Sequence, residues 1–506
     1  MSNVNIQKRF ANTAIALCML FGASVLMSTP AYAGGTFLTA HDLGFGGSEN
    51  ADPISPTRFW QVTEKTMNRL VRPATTGEPS PDLAVSWYPN DSADVWTFNL
   101  REGVKFHDGT DFDAADVVEL LNRIKDPDLD SPVASVLAIM EKIEAVDSLT
   151  VKITLSASHV DFPLLMMDYR IRMTPTGSSD TIGQTGIGTG PFMLKTLDPE
   201  GTTILVANPD YWEGAPGLDE IKIIAIPDSQ ARVQALLSGQ IDMLRHISAQ
   251  EKVLFENNPK FKIQHVATGD WLAAIVFRTD TAPFDDVRVR KALRIATDRE
   301  AMVKLLLGEG GGVVACDTPV WSGDQYRAEI DCPQDIDGAK RLLAEAGYPN
   351  GIEIDVVTSD LRALWVNMVQ VYQQQVAAAG ITVNLVKAPA DGYWSDVWMK
   401  EPAVTTSWGQ RPADQVFNEA FKSTASWNES FLNNSAFDEK LKMAGQEMDV
   451  NKRTALYGDL QNILFEEGGT FIPFHINQVV VTSARVTGLP AMFDDAVQYH
   501  NVSVGD

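Results

Sequence analysis

Two kinds of segment alternate along the chain. Stretches rich in β-branched residues that end at turn residues predict strands: VWTFNL (Val95–Leu100), LTVKITL (149–155), EIKIIAI (220–226) and GIEIDVVT (351–358). Stretches with apolar residues at three- and four-residue steps predict helices: AADVVELLNRI (114–124), SQARVQALLSG (229–239), DGAKRLLAEAG (337–347) and VNKRTALYGDLQNILFEE (450–467). Gly239 and Gly347 stand where two of these helices should stop. In VRVRKALRIATDRE (287–300), Val289, Ala292, Leu293 and Ala296 recur at helical spacing. Its basic residues are therefore expected on the wet face of an amphipathic helix rather than against nucleic acid. The glycine-rich GQTGIGTGPF (183–192) lacks the strand-before, helix-after setting of a dinucleotide fingerprint and reads as a strand-entry turn. The mixture predicts an α/β protein with mixed sheets.

Composition adds limits. A chain of 506 residues is too long for one core, so two or three packed units are expected. With 44% hydrophobic and 21% charged residues it is an ordinary folded chain, and its net charge of -25 argues against nucleic acid or anionic lipid as partner. Lys8 and Arg9, an apolar stretch over 14–27 and small residues at Ala31 and Ala33 spell a secretory signal peptide over residues 1–33. A membrane anchor fits less well, because Thr13, Gly22 and Ser24 interrupt the stretch. Leu17 before Cys18 does not suit a lipidation site. Cleavage removes two cations and no acid, taking the net charge to -27 and leaving Cys316 and Cys332. In an exported chain these two are expected to form one disulfide across a stretch containing Pro319, Gly323 and Pro333, the alternative being two free thiols.

Catalytic motifs are missing. There is no G-x-S-x-G, no GK[ST] phosphate loop, no H-E-x-x-H and no paired C-x-x-C, and seven scattered histidines suggest no metal site and no cofactor. Asp126, Asp128 and Asp130 have the alternate spacing of a calcium loop, but Ser131 and Leu137 stand where that loop needs Gly and Glu, leaving a solvated acidic turn. The chain reads as a non-enzyme; an exported hydrolase with a triad assembled from distant residues is the alternative.

Several segments resemble the large solute-binding proteins of bacterial ABC importers, in the dipeptide and oligopeptide branch (family 5). The most specific is LAVSWYPNDSADVWTFNLREGVKFHDGTDFDAADVVELLNRI (83–124), and GTGPFML, NPDYWEGAPGLDEIKI, PFDDVRVRKALRIATDRE, AKRLLAEAGYPNG and NNSAFDEKLKMAGQEMDVNKRTALYGDLQNILFEEGGTFIPF follow in family order. The resemblance covers nearly all of the chain after residue 33. It implies a two-lobed periplasmic binding protein of type II, in the large cluster with an extra subdomain in lobe one and a hinge between lobes. Lobe I is expected at 34–59, 186–272 and 477–506, the extra subdomain at 60–185 and lobe II at 273–476. His107 of the FHDG segment is expected to fix a turn.

The implied function is capture of a small peptide or peptide-like, carboxylate-bearing solute in the periplasm by lobe closure, with delivery to membrane permease subunits of the importer by a monomeric protein. Opine, muropeptide, haem or metal-chelate ligands on the same fold are alternatives. In peptide-binding relatives a W-x-x-D aspartate pairs with the peptide amino terminus. The matching stretch, SWGQRPADQVF (407–417), keeps Trp408 but has Arg411 in place of the acid. Arg411 either offers its planar fork to a ligand carboxylate or lies at the rim paired with Asp414, and a further alternative is that Asp414 takes the amine. Trp271, Tyr393 and Trp394 are further ligand-site candidates, as is Arg362 in SDLRALW, with Trp427 and Asn428 nearby in family pattern.

Overall fold

The computed structural model describes residues 34–74, 78–245, 247, 249–308, 310–489 and 499–505. The expected signal segment therefore lies outside the described residues. These described residues pack as one compact unit.

The predicted elements form close to their expected limits. Val95–Leu100 alternates half-buried and buried positions, as a strand with one face on a core should. Helix Ala114–Lys125 starts at Asp113, whose side chain caps the first turn while Asp116 reaches back to the Asp113 amide. Helix Ser229–Ser238 ends at Gly239, which has φ 79°. Val289, Ala292, Leu293 and Ala296 are buried, as the helical spacing over 287–300 predicts. The charges differ from expectation: Arg290 and Arg294 are buried too. Their guanidinium groups bond Glu467 O and Phe284 O, and Asp317 with Phe465 O, so they tie off the carbonyls ending helix Val450–Glu467.

Three larger sheets organise the molecule. In the first, Thr36–His41 pairs in parallel with Glu220–Ala225, followed antiparallel by Thr202–Ala207 and Phe192–Thr196. The second is antiparallel, in the order Ala84–Pro89, Val95–Leu100, Thr150–Leu155, Met140–Asp147. Its core with helix Ala114–Lys125 draws on residues between Ile54 and Met173. The third has seven strands, built on two long ones, Phe261–Phe277 and Thr470–Ser483. Together these make a two-lobed α/β fold.

The two long strands pass from lobe to lobe. Val479 and Val481 belong to a cluster with Val233 and Leu236, whereas Ala273, Phe277, Phe471 and Phe474 belong to one with Trp365 and Tyr372. Between these ends the pairing shifts: Val266 faces Gln478, but the next pair is Trp271 with Ile476. The extra residues on one strand make a bulge, where pairing is interrupted and the strand bends.

The glycine-rich segment enters strand Phe192–Thr196. A Cβ on Gly188 would stand 2.2 Å from Thr66 O, and one on Gly190 2.5 Å from Thr66 C, so only glycine lets this turn lie on the end of helix Trp60–Thr66. His107 holds the same turn, its Nε2 donating to Gly190 O at 3.0 Å and its Nδ1 accepting the Gly188 N–H at 3.2 Å. Burial pushes its imidazole down to about 4, so the ring is neutral at physiological pH. Cys316 and Cys332 are joined by a disulfide, with Cα atoms 5.6 Å apart.

Candidate functional site

A cavity of about 460 Å³ lies between the lobes, a size suited to a small organic ligand. One side comes from the segment 41–64 and from Tyr169, Arg170 and Arg172; the other from Arg362 and the stretch 394–429. Its second-lobe wall is aromatic. Trp394, Trp398, Trp427 and Trp408 follow one another edge to face, with centroids 5.6 to 5.8 Å apart. Edge-to-face contact fixes each ring by its neighbours, and such rings bury large area at small entropy cost.

A chain of buried charges backs this wall. Arg170 donates to both oxygens of Asp168, at 2.8 and 2.6 Å, and pairs with Glu419 at 2.8 Å. Arg411 donates from Nε to Glu419 at 2.8 Å, from Nη2 to the Tyr169 hydroxyl at 2.8 Å and from Nη1 to Gly409 O at 2.9 Å. Its guanidinium also stacks on Trp408 and Tyr169, and that of Arg170 on Trp427 and Tyr169. Burial disfavours the charge on Arg411, but Glu419, Tyr169 and Asp168 together outweigh it and the pKa is raised.

The sequence-derived candidates divide. Trp271, Arg362, Trp394, Trp408 and Arg411 line the cavity. Arg362 bonds Asp42 across the lobes at 2.9 Å, and that carboxyl, buried but facing Arg362 and Arg232, is held down at about 2. Tyr393 does not line the cavity: its ring is fully buried against Trp365 and its hydroxyl donates to Thr405 O at 2.9 Å. Asp414 does not pair with Arg411. Its oxygens take the Tyr457 hydroxyl at 2.7 Å and His159 Nε2 at 3.2 Å. Asn428 brackets its own turn, bonding the Leu432 N–H and carbonyl. Tyr169, Arg170 and Glu429 also line the cavity and carried no signal in the sequence. Among the described residues no group of three His, Cys, Asp or Glu side chains is placed to hold a metal ion.

Known proteins are similar to this chain along most of its length. Heme-binding protein A of Haemophilus influenzae is 30% identical over 482 residues, 86% of each chain. The glutathione-binding protein GsiB of Shigella flexneri is 29% identical over 445 residues, 83% of this chain and 85% of that one. Among solved structures, the periplasmic binding protein DppA of Helicobacter pylori in complex with peptide STSA superposes with a TM-score of 0.83 at 23% identity, covering 94% of this chain and 98% of that one. The family described as bacterial extracellular solute-binding proteins, family 5 Middle, matches residues 78–429. The chain therefore belongs to the family 5 bacterial extracellular solute-binding proteins, the solute-capturing components of ABC importers.

Proposed function

We propose that the protein captures a small peptide or peptide-like solute bearing a carboxylate in the cavity between its lobes, and delivers it to the permease of an ABC importer without chemical turnover. The observation that carries this reading is the lining itself. Five arginines, Arg58, Arg170, Arg172, Arg362 and Arg411, line the same cavity as the aromatic wall, several of them already held in place by buried partners. Arginine forks match carboxylate geometry, and the indole faces cover the apolar body of a ligand. GsiB, by its name, binds glutathione, and such a peptide-like acid has the chemistry this lining fits.

The organisation follows the same reading. Residues 1–33 act as a cleaved export signal, placing a monomer in the periplasm. No helix among the described residues is long and apolar enough to cross a membrane. Lobe I comprises 34–59, 186–272 and 477–506 with its subdomain at 60–185, and lobe II 273–476, divisions that the separate apolar clusters follow except near residue 60, where Ile54 packs into the subdomain core and Val62 into that of lobe I. The bulge between Val266 and Trp271 serves as the hinge.

A thermal-shift panel of dipeptides, tripeptides including glutathione, opines, muropeptides, haem and metal chelates tests the ligand class. A ligand at 100 times its dissociation constant adds about 2.7 kcal/mol, enough for a shift of several degrees. Hits confined to carboxylate-bearing peptide-like solutes are expected. Hits confined to haem or to metal chelates would overturn the reading, as would turnover of any panel member.

A further inference from the structure

The acids that line the cavity are not alike. Asp42 is paired with Arg362 and Glu64 with Lys65, while Glu49, buried across the cavity, accepts the Phe45 N–H at 3.0 Å on one oxygen and has no hydrogen bond on the other. Glu429 sits on the tryptophan wall, 5% exposed, and is hydrogen-bonded to neutral donors. Its Oε1 accepts from Thr406 Oγ1 at 2.6 Å and from Trp398 Nε1, and its Oε2 from Trp408 Nε1 at 3.0 Å. A carboxylate has about four acceptor sites. Three are used, and the fourth is left to whatever fills the cavity.

The surroundings leave the charge of Glu429 without a bonded counter-ion. Arg411, just beyond strand Ala403–Gly409, acts on Glu429 through its charge but gives its hydrogen bonds to Glu419, Tyr169 and Gly409 O. Arg170 is stacked on the neighbouring Trp427, 4.7 Å from its centroid, and is paired with Asp168 and Glu419. Tyr393, facing Glu429 from helix Tyr393–Asp396, is a neutral phenol whose own pKa is raised by burial. Burial pushes the Glu429 carboxyl up to about 7, its three donors and Arg411 pulling the other way. A buried carboxylate bonded only to neutral groups is disfavoured unless a cation reaches it. The two indole N–H groups would in turn be orphaned without it.

We propose that Glu429 is a specificity-determining residue: it orients Trp398 and Trp408 through their indole N–H groups and pairs, through its remaining acceptor site, with an ammonium group of the solute. This inference rests on the reading of the cavity as the ligand site and deepens it. The captured solute then carries an ammonium group as well as a carboxylate.

The test has two parts. In ligand-free protein, near-ultraviolet circular dichroism and tryptophan fluorescence are followed from about pH 5 to about pH 9. The wild type is expected to show a step near pH 7 that Glu429→Gln lacks, because two indoles donate to the titrating group. Dipeptide hits and their N-acetyl forms are then compared near pH 8. The wild type is expected to favour the free amine by about tenfold, and Glu429→Gln to lose that preference. A wild type without the spectral step overturns the proposal. So does an amine preference that survives in Glu429→Gln, including one that is lost instead in Glu49→Gln across the cavity. Trp408→Ala separates the two levels: if it leaves every dipeptide affinity unchanged, the cavity is not the ligand site, whereas failure of the Glu429 tests alone leaves that site standing.

Discussion

Arg411 shows what a single side chain can and cannot disclose in sequence. Its place after Trp408 was visible; its partner was not. Helix Ala413–Ala420 sorts its polar residues by four-residue steps. Gln415 and Glu419 lie on one side, where Gln415 bonds Asp168 at 2.5 Å and Glu419 takes Arg411 and Arg170. Asp414 and Asn418 lie on another, bonded to each other at 3.1 Å, and this turns Asp414 away from Arg411. A pairing three residues along the chain thus lost to one eight residues along, because helical phase decides the facing side. Arg411→Ala is expected to cost about 3 to 5 kcal/mol of stability, as breaking a buried pair from one side does. Urea unfolding checks it. A variant as stable as wild type but weaker in ligand binding would mean that Arg411 acts on the ligand alone.

At the scale of elements, the loop carrying His159 meets helix Ala413–Ala420 from the other lobe. His159 is buried and pairs with Asp414, with Asp161 and Arg453 as the other charges nearby and Gly445 leaving room for the ring. Burial pulls the imidazolium pKa down, but Asp414 outweighs it and the net shift is upward from 6.5. Asp414 is also buried, yet His159 and its hydrogen bonds bring its pKa below 3.8. The signs fix the window. The histidine's contribution is complete below pH 6.5 and is lost as pH rises through its raised pKa. The carboxylate's contribution is present above pH 3.8 and is lost as pH falls through its lowered one. Comparing wild type with His159→Gln by denaturant unfolding should therefore show a stability difference, of order 1 kcal/mol, that shrinks between mildly acidic and alkaline pH. A pH-independent difference would mean that His159 stays neutral. Elements themselves were legible in the sequence because their signals are local: the apolar spacing of 114–124 and of 450–467 and the stop at Gly239 act within a turn or two. The burial of Arg290 and Arg294 was not, since the carbonyls that receive them end a helix more than 150 residues later.

For the whole molecule the same distance argument separates fold from site. The two-lobed α/β fold was readable because the family resemblance runs in order along the chain. Four of the side-chain contacts across the cleft join residues 165 to 320 positions apart: Tyr326 with Asp161, Arg411 with Tyr169, Gln415 with Asp168 and Arg362 with Asp42. No local pattern marks either member of such a pair. Each is made only when the lobes meet, so each biases the hinge toward closure, and a ligand adds its own preference for the closed form. Tyr326 offers a probe outside the main cavity: its hydroxyl accepts from Arg453 Nε at 2.6 Å, beside the Arg453–Asp161 pair, and donates across the cleft to Asp161 at 2.9 Å. Loss of that bond in Tyr326→Phe should cost closure about 1 kcal/mol, a factor of roughly five in the closed-to-open ratio. Small-angle scattering of the ligand-free variant should give a larger radius of gyration than wild type. A ligand found in the thermal-shift panel should bring both proteins to the same smaller value, with weaker apparent affinity in the variant because less of it starts closed. Equal radii without ligand, together with equal affinities, would show that this contact forms after closure and does not drive it.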